Sequence, residues 1–275
     1  MKLIIMGAGY VGQALLENLQ QGPHELFITT TKKESISSLE PYGKKVILLN
    51  SNKDLKEVID SCDGMVILVA PGPFQSYKET YLNTAETIRS ILKERDRPFY
   101  LLYTSSTSVC EGSNQDLVTE ETPLCPKSDK TKILIETEAC YLSCNADVCL
   151  LRLGGIYGPN RELIDRARKL SGKEMMAAGQ ELTNHIHLND IVGAICFCLE
   201  HSLTGIYHLV NDDHPSRDKL YSLLCKYLNL PPPLWNSQDK SSNIKISNQK
   251  IKQAGYIFKH PLIVYPDKEI EIKSK

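Results

Sequence analysis

Neither an excess of one charge, nor a long apolar run, nor a paired-cysteine motif occurs in this sequence of 275 residues. Lysine and arginine number 32 against 33 aspartates and glutamates, a formal net charge of -1. With no block of five like charges either, the electrostatic footprint of a nucleic-acid binder is absent. The apolar stretch Val192 to Leu199 contains Gly193, and no run approaches the roughly 18 residues of a membrane span. Met1 to Met6 run directly into a glycine-rich turn and carry neither the charged nor the apolar region of a signal peptide. The expected protein is therefore soluble and cytoplasmic, with small molecules as partners and no nucleic acid or membrane among them. Nothing in the sequence indicates an oligomeric state.

The nine cysteines (Cys62, Cys110, Cys125, Cys140, Cys144, Cys149, Cys196, Cys198 and Cys225) form no CxxC pair and no zinc-type spacing. They read as reduced thiols serving as small hydrophobes, and so do Cys140 and Cys144, four apart on an expected helix. His185 and His187 alternate in an expected strand and share a face. Two histidines without a third ligand nearby make a poor metal site, so no metal is expected. Repeats and low-complexity tracts are missing too, and Pro231-Pro232-Pro233 reads as a stiff loop ending a helix. What is present is a globular composition, 41% hydrophobic, over a length that suffices for one large domain or two unequal ones. A disordered chain or a small stapled scaffold is excluded.

Over the first 150 or so residues short β-rich runs alternate with helix-length stretches, which is the pattern of a parallel sheet covered on both faces. The strand candidates are Lys2 to Met6, Leu26 to Thr30, Lys45 to Leu49, Met65 to Ala70, Phe99 to Ser105 and Val148 to Leu153. Several are apolar on both faces, as buried parallel strands are. Helices are expected at Val11 to Gln20, Asn52 to Ser61, Tyr77 to Arg95 and Lys130 to Leu142, from apolar spacings of three and four. After Leu153 the elements shorten, with a helix at Asp190 to Glu200, a strand at Gly205 to Val210 and a helix at Asp218 to Leu228. The charged tail from Asp267 to Lys275 is expected to fray.

Gly7-Ala8-Gly9-Tyr10-Val11-Gly12 is a GxGxxG motif standing directly after the first strand and opening the first helix. In that context Gly7 makes a tight turn, Gly9 lets backbone approach a pyrophosphate, and Gly12 lets helix and strand pack closely. The N–H groups of Tyr10 and Val11 then open a helix whose N-terminus faces the anion. An NAD site would place a carboxylate at the end of the second strand. Here that end reads Thr29-Thr30-Thr31-Lys32-Lys33. Hydroxyls and cations suit a 2′-phosphate, so Thr30, Thr31 and Lys32 favour NADP over NAD, the alternative being that the lysines are a solvated loop.

The fold expected is α/β, a doubly wound Rossmann-type parallel sheet in strand order 3-2-1-4-5-6 with a small C-terminal lobe. The cofactor domain covers 1–155 and the substrate lobe 156–275, the strand near 205–210 returning to the main sheet as a seventh. The cofactor is expected across the carboxyl ends of the strands, where the order reverses between the first and fourth.

Four further stretches follow in order: Ala70-Pro71 after the fourth strand, Tyr103 to Val109 on the fifth, Arg152 to Pro159 after the sixth, and His185 to Ile191. With the glycines, these make the chain resemble the extended short-chain dehydrogenase/reductase superfamily, the NAD-dependent epimerases and dehydratases, and particularly its small atypical members of the YeeZ-like kind. In that family a serine or threonine ending the fifth strand orients the substrate. A Tyr-x-x-x-Lys pair on the next helix transfers the proton, the lysine also holding the nicotinamide ribose. The resemblance puts the serine at Ser106 and the lysine at Lys132, and Ala70 and Pro71 beside the cofactor. Ser106 as a capping hydroxyl and Lys132 as a solvated lysine are the competing readings.

The tyrosine position then falls on Ser128, and none of the 13 tyrosines has a lysine four residues later. A serine hydroxyl is a far weaker acid than a phenol of pKa about 10. Tyr157, in the Gly-Ile-Tyr-Gly-Pro loop, or a bound water is the expected stand-in, with packing the other role open to Tyr157. The catalytic set is thus Ser106, Lys132 and Tyr157. The function implied is an NAD(P)-dependent oxidoreductase or epimerase acting on a sugar-nucleotide-like or other small carbonyl or hydroxyl substrate. The alternative, prompted by the missing tyrosine, is a non-catalytic NADP-binding redox sensor or scaffold. The His187 to Asp190 segment reads as structural, with Asp190 capping a helix start.

Overall fold

The computed structural model describes residues 1–72, 76–236 and 243–266. The tail from Asp267 to Lys275 lies outside the described residues. In chain order the strands are β1 Lys2–Met6, β2 Glu25–Thr30, β3 Lys45–Leu48, β4 Gly64–Ile67, β5 Tyr100–Ser106, β6 Leu117–Val118, β7 Asp147–Leu153, β8 Gly155–Tyr157, β9 Glu174–Met175, β10 His185–His187, β11 Gly205–Leu209, β12 Leu234–Trp235 and β13 Lys245–Ile246. The helices are α1 Tyr10–Leu19, α2 Ile36–Leu39, α3 Asn52–Ser61, α4 Thr84–Lys93, α5 Asp129–Leu142, α6 Leu163–Leu170, α7 Leu188–His201, α8 Arg217–Tyr227 and α9 Gln249–Gln253.

Strands apolar on both faces need cover on both, and seven of them form one mostly parallel sheet in the order β3-β2-β1-β4-β5-β7-β11. The order reverses between β1 and β4, as the doubly wound reading requires. Parallel registers pair Met6 with Thr29 on one side and with Ile67 on the other, and Ile67 with Tyr103. Gly7, Thr30, Leu68 and Thr104 therefore stand one row further on, along the carboxyl edge of the sheet.

Two units make up the chain. The first is Met1–Val109, Pro126–Arg152 and Val192–Tyr207; the second is Cys110–Cys125, Leu153–Ile191 and His208–Lys275. In the first, Ile4 and Met65 from the strands pack with Ile88 and Leu92 of α4 and Tyr141 of α5, all buried. In the second, Leu163 and Ala167 of α6 pack against Leu220, Tyr221 and Leu224 of α8, with Tyr157 beneath them. Most cysteines fill such interiors: all nine are free thiols and seven are buried. Cys144 Sγ points to the Cys140 carbonyl oxygen at 3.6 Å, one helical turn back.

Local sequence explains the element ends. Ser51 and Asp54 form a reciprocal capping box at α3, and Ser128 caps α5 by accepting the Thr131 N–H. Three expected elements differ. The helix expected from Tyr77 to Arg95 is a π-helical stretch, Lys78–Asn83, followed by α4. The strand expected to reach Ala70 ends at Ile67; Leu68 still donates its N–H to Met6, and beyond it the chain turns across the glycine motif. A helix cap was expected at Asp190, but α7 begins at Leu188 and Asp190 lies inside its first turn, its carboxylate engaged elsewhere.

Candidate functional site

The three glycines of the turn are held by different constraints. Gly7 adopts φ +102°, a left-handed conformation, and a Cβ there would meet the Leu68 carbonyl carbon and oxygen at 2.7 Å. A Cβ on Gly12 would lie 2.0 Å from the Gly7 carbonyl oxygen. Both glycines are therefore demanded by the protein itself. Gly9 is not: its φ of -80° and ψ of -156° suit any residue, and a Cβ there meets nothing within 4 Å. The space beside it is open, at the N-terminus of α1, whose cap carries no side-chain hydrogen bond and whose first turn has no acidic residue. A helix N-terminus beside open space suits a pyrophosphate. Gly7 packs on Leu68 and Val69, so the stretch leading to Ala70 and Pro71 runs alongside the same turn.

At the end of β2, the Thr30 hydroxyl accepts the Lys32 N–H at 3.1 Å, a local turn that holds the start of the lysine pair. Thr31, Lys32 and Lys33 are exposed, and no ion pair engages either lysine among the described residues. Thr29, one residue earlier, is buried and points into the sheet, so the usable hydroxyls are those of Thr30 and Thr31.

β5 delivers two consecutive serines to different partners. Ser105 is buried and donates to Glu138 Oε1 at 2.6 Å, while Arg152 Nε and Nη2 reach the same carboxylate at 3.1 to 3.2 Å and 2.8 Å. Both charged residues are only 2% exposed. This pair ties α5 to β5 and β7, the elements that carry Lys132 and Ser106. The sequence reading missed it. A lone arginine in the apolar run Val148 to Leu153 was the available signal, because a buried charge needs a partner. Alternation turns Ser106 off that pair; its Oγ accepts the Ser108 N–H at 3.2 Å and the Ser108 hydroxyl at 3.0 Å.

Ser128, the position the resemblance gave to a tyrosine, has the task of a helix cap. Its Oγ accepts the Thr131 N–H at 3.2 Å and lies 2.8 Å from Thr131 Oγ1. Lys132 follows one turn on, exposed, its backbone N–H closing the first helical bond onto Ser128.

The remaining expected residue lies in the second unit. Tyr157 is 3% exposed, its hydroxyl accepts the Val264 N–H at 3.2 Å, and burial pushes its pKa up to about 12. That phenol holds its proton firmly and sits in packed surroundings. His187 stacks on His260, ring centroids 3.8 Å apart, and Asp190 stands beside both. The sequence reading saw no third ligand near the histidines; the fold supplies two, with ligand atoms of His187, Asp190 and His260 all within 4.8 Å. His187 Nδ1 accepts the Asn189 N–H at 3.2 Å. Asp190, fully buried, is engaged by the N–H groups of Lys259 and His260 and by His260 Nδ1. Burial holds the His187 pKa down at about 4 and that of His185 at about 4. Among the described residues no helix is long and apolar enough to cross a membrane.

The sequence matches the family described as "NAD dependent epimerase/dehydratase family" over residues 3–211. No curated protein sequence matches the chain. Among solved structures, a putative NAD-dependent epimerase/dehydratase from Methylobacillus flagellatus is similar with a TM-score of 0.77 at 22% identity, over 99% of this chain and 98% of that one. Human epimerase family protein SDR39U1 (isoform2), solved with NADPH, gives a TM-score of 0.75 at 15% identity over 96% of each chain. MoeE5, solved with UDP-glucuronic acid and NAD, gives 0.73 at 17% identity over 92% of each. Identities this low show a shared fold.

Proposed function

The chain belongs to the NAD dependent epimerase/dehydratase family, and we propose that it is a nicotinamide-dependent oxidoreductase or epimerase acting on a small carbonyl or hydroxyl compound, sugar-nucleotide-like in class. The observation that carries this reading is Gly9. Nothing in the protein requires a glycine there, and an open cradle at a helix N-terminus is what a dinucleotide pyrophosphate requires. The residues present fit the group. Gly7, Gly9, Tyr10, Val11 and Gly12 would hold the pyrophosphate, Ala70 and Pro71 would line it, and Lys132 would hold the nicotinamide ribose. Thr30, Thr31 and Lys32 favour a 2′-phosphate, hence NADP over NAD; the NADPH in the human structure supports that choice and the NAD in MoeE5 the other.

The cofactor supplies a hydride donor or acceptor when bound. The chain's own residues do the rest: Ser106 donates a hydrogen bond to the substrate oxygen, and Lys132 places a positive charge near it. With Ser128 spent as a helix cap and Tyr157 holding its proton, the proton itself comes from water. The test is a calorimetric titration with NADPH and NADH, followed by NADPH absorbance against a panel of aldehydes, ketones and sugar nucleotides. Binding with turnover of any member supports the reading. The capping role of Ser128 favours one second reading, a non-catalytic NADP-binding sensor or scaffold. It holds if NADPH binds, no panel member is turned over, and binding changes the protein's association with another protein.

A further inference from the structure

A hydroxyl has two lone pairs and one proton. At Ser106 both lone pairs are used within the protein, one by the Ser108 N–H and one by the Ser108 hydroxyl proton. The Ser106 proton has no acceptor among the described residues, and Ser106 is half-buried at the carboxyl edge of the sheet. From this we infer that Ser108 is a positioning residue that fixes Ser106 as a donor only, so that the substrate oxygen bound there accepts, as the carbonyl oxygen of a reducible substrate does. This rests on the oxidoreductase reading of the same site and names what that site takes.

The chemistry balances without a protein acid. In reduction a hydride brings two electrons and forms the new C–H bond, and the C=O π pair moves onto oxygen. That oxygen takes its proton from water; the hydride comes from a reduced nicotinamide dinucleotide, which ends oxidised. Ser106 keeps its proton and holds the oxygen while charge builds on it, in the manner of an oxyanion donor. Without the Ser108 hydroxyl, one Ser106 lone pair is released. The Ser106 hydroxyl is then free to rotate and to accept from water, and the donor is no longer aimed.

Two readouts test this. In the first, a carbonyl-labelled aldehyde or ketone, the panel member reduced fastest, is bound with the oxidised dinucleotide, and its C=O stretch is read by difference infrared spectroscopy. A shift to lower frequency is expected in the natural protein, absent in Ser106→Ala, diminished in Ser108→Ala and restored in Ser108→Thr. In the second, Ser108→Ala lowers kcat about fivefold to tenfold, the scale of one neutral hydrogen bond. KM and NADPH affinity stay within about twofold, since Ser108 is exposed and outside the cofactor cradle. An unchanged stretch and kcat in Ser108→Ala overturn the inference alone. So does NADPH binding with no carbonyl compound reduced, which leaves the cofactor reading standing. Absence of NADPH binding overturns both together.

Discussion

Replacing Gly9 and Gly12 separates the glycine that the protein needs from the one that a ligand needs. In Gly9→Val the new side chain meets no protein atom within 4 Å and the backbone is already extended. Restricting the unfolded chain stabilises by about 0.4 to 1 kcal/mol, and loss of a tolerated helix-capping residue costs about as much. The net change in unfolding free energy should fall within about 1 kcal/mol of zero. NADPH affinity should fall by about a hundredfold or more, roughly 2.7 kcal/mol, because the branched side chain occupies the pyrophosphate's place. In Gly12→Ala the Cβ lies 2.0 Å from the Gly7 carbonyl oxygen and 2.9 Å from its carbonyl carbon. Backbone must move, at about 1 to 3 kcal/mol or more, against about 1 kcal/mol returned in helix propensity. Urea denaturation of both variants and calorimetric NADPH titrations give the four numbers. A Gly9→Val protein that binds NADPH like the natural one, or that loses as much stability as Gly12→Ala, refutes the assignment of the open cradle.

Four further outcomes are expected. NADPH should bind more tightly than NADH, and Lys32→Ala should narrow the difference; equal or better NADH binding by calorimetry removes the 2′-phosphate reading of Thr30 to Lys32. Arg152→Met should cost about 3 to 5 kcal/mol in urea denaturation, because Glu138 is left charged and buried, while Arg152→Met with Glu138→Leu recovers most of it; a single-variant loss under about 1 kcal/mol contradicts this. His185 and His187 titrate near pH 4 in the folded protein against 6.5 unfolded, so between those values the unfolded chain binds more protons and stability falls as pH drops from about 6.5 to about 4, by up to a few kcal/mol in total. His187→Phe should flatten that slope, and an unchanged pH profile counts against the assignment. Tyr157→Phe should cost about 1 kcal/mol through the lost Val264 contact and leave turnover intact; loss of turnover at unchanged stability would make the phenol the proton donor after all.

The seven strands of the main sheet, the βαβ order and the glycine turn are short-range properties, and the sequence alone located them. Gly7 and Gly12 are required by neighbours within one turn of chain and one adjacent strand, and a strand apolar on both faces announces a covered sheet. That position 128 is a serine was equally plain, although its role of capping α5 needed the helix start to be seen. The Ser106–Ser108 contact spans only two residues, yet the sequence leaves both rotamers open, and the backbone path after β5 decides it. Other features depend on segments far apart in the chain. Glu138 finds Arg152 across two elements, and Asp190, expected to cap its own helix, instead holds the backbone of Lys259 and His260 some 70 residues later. A buried carboxylate must be satisfied by whatever donors the fold brings to it, and which donors those are is a property of tertiary packing that no local pattern encodes.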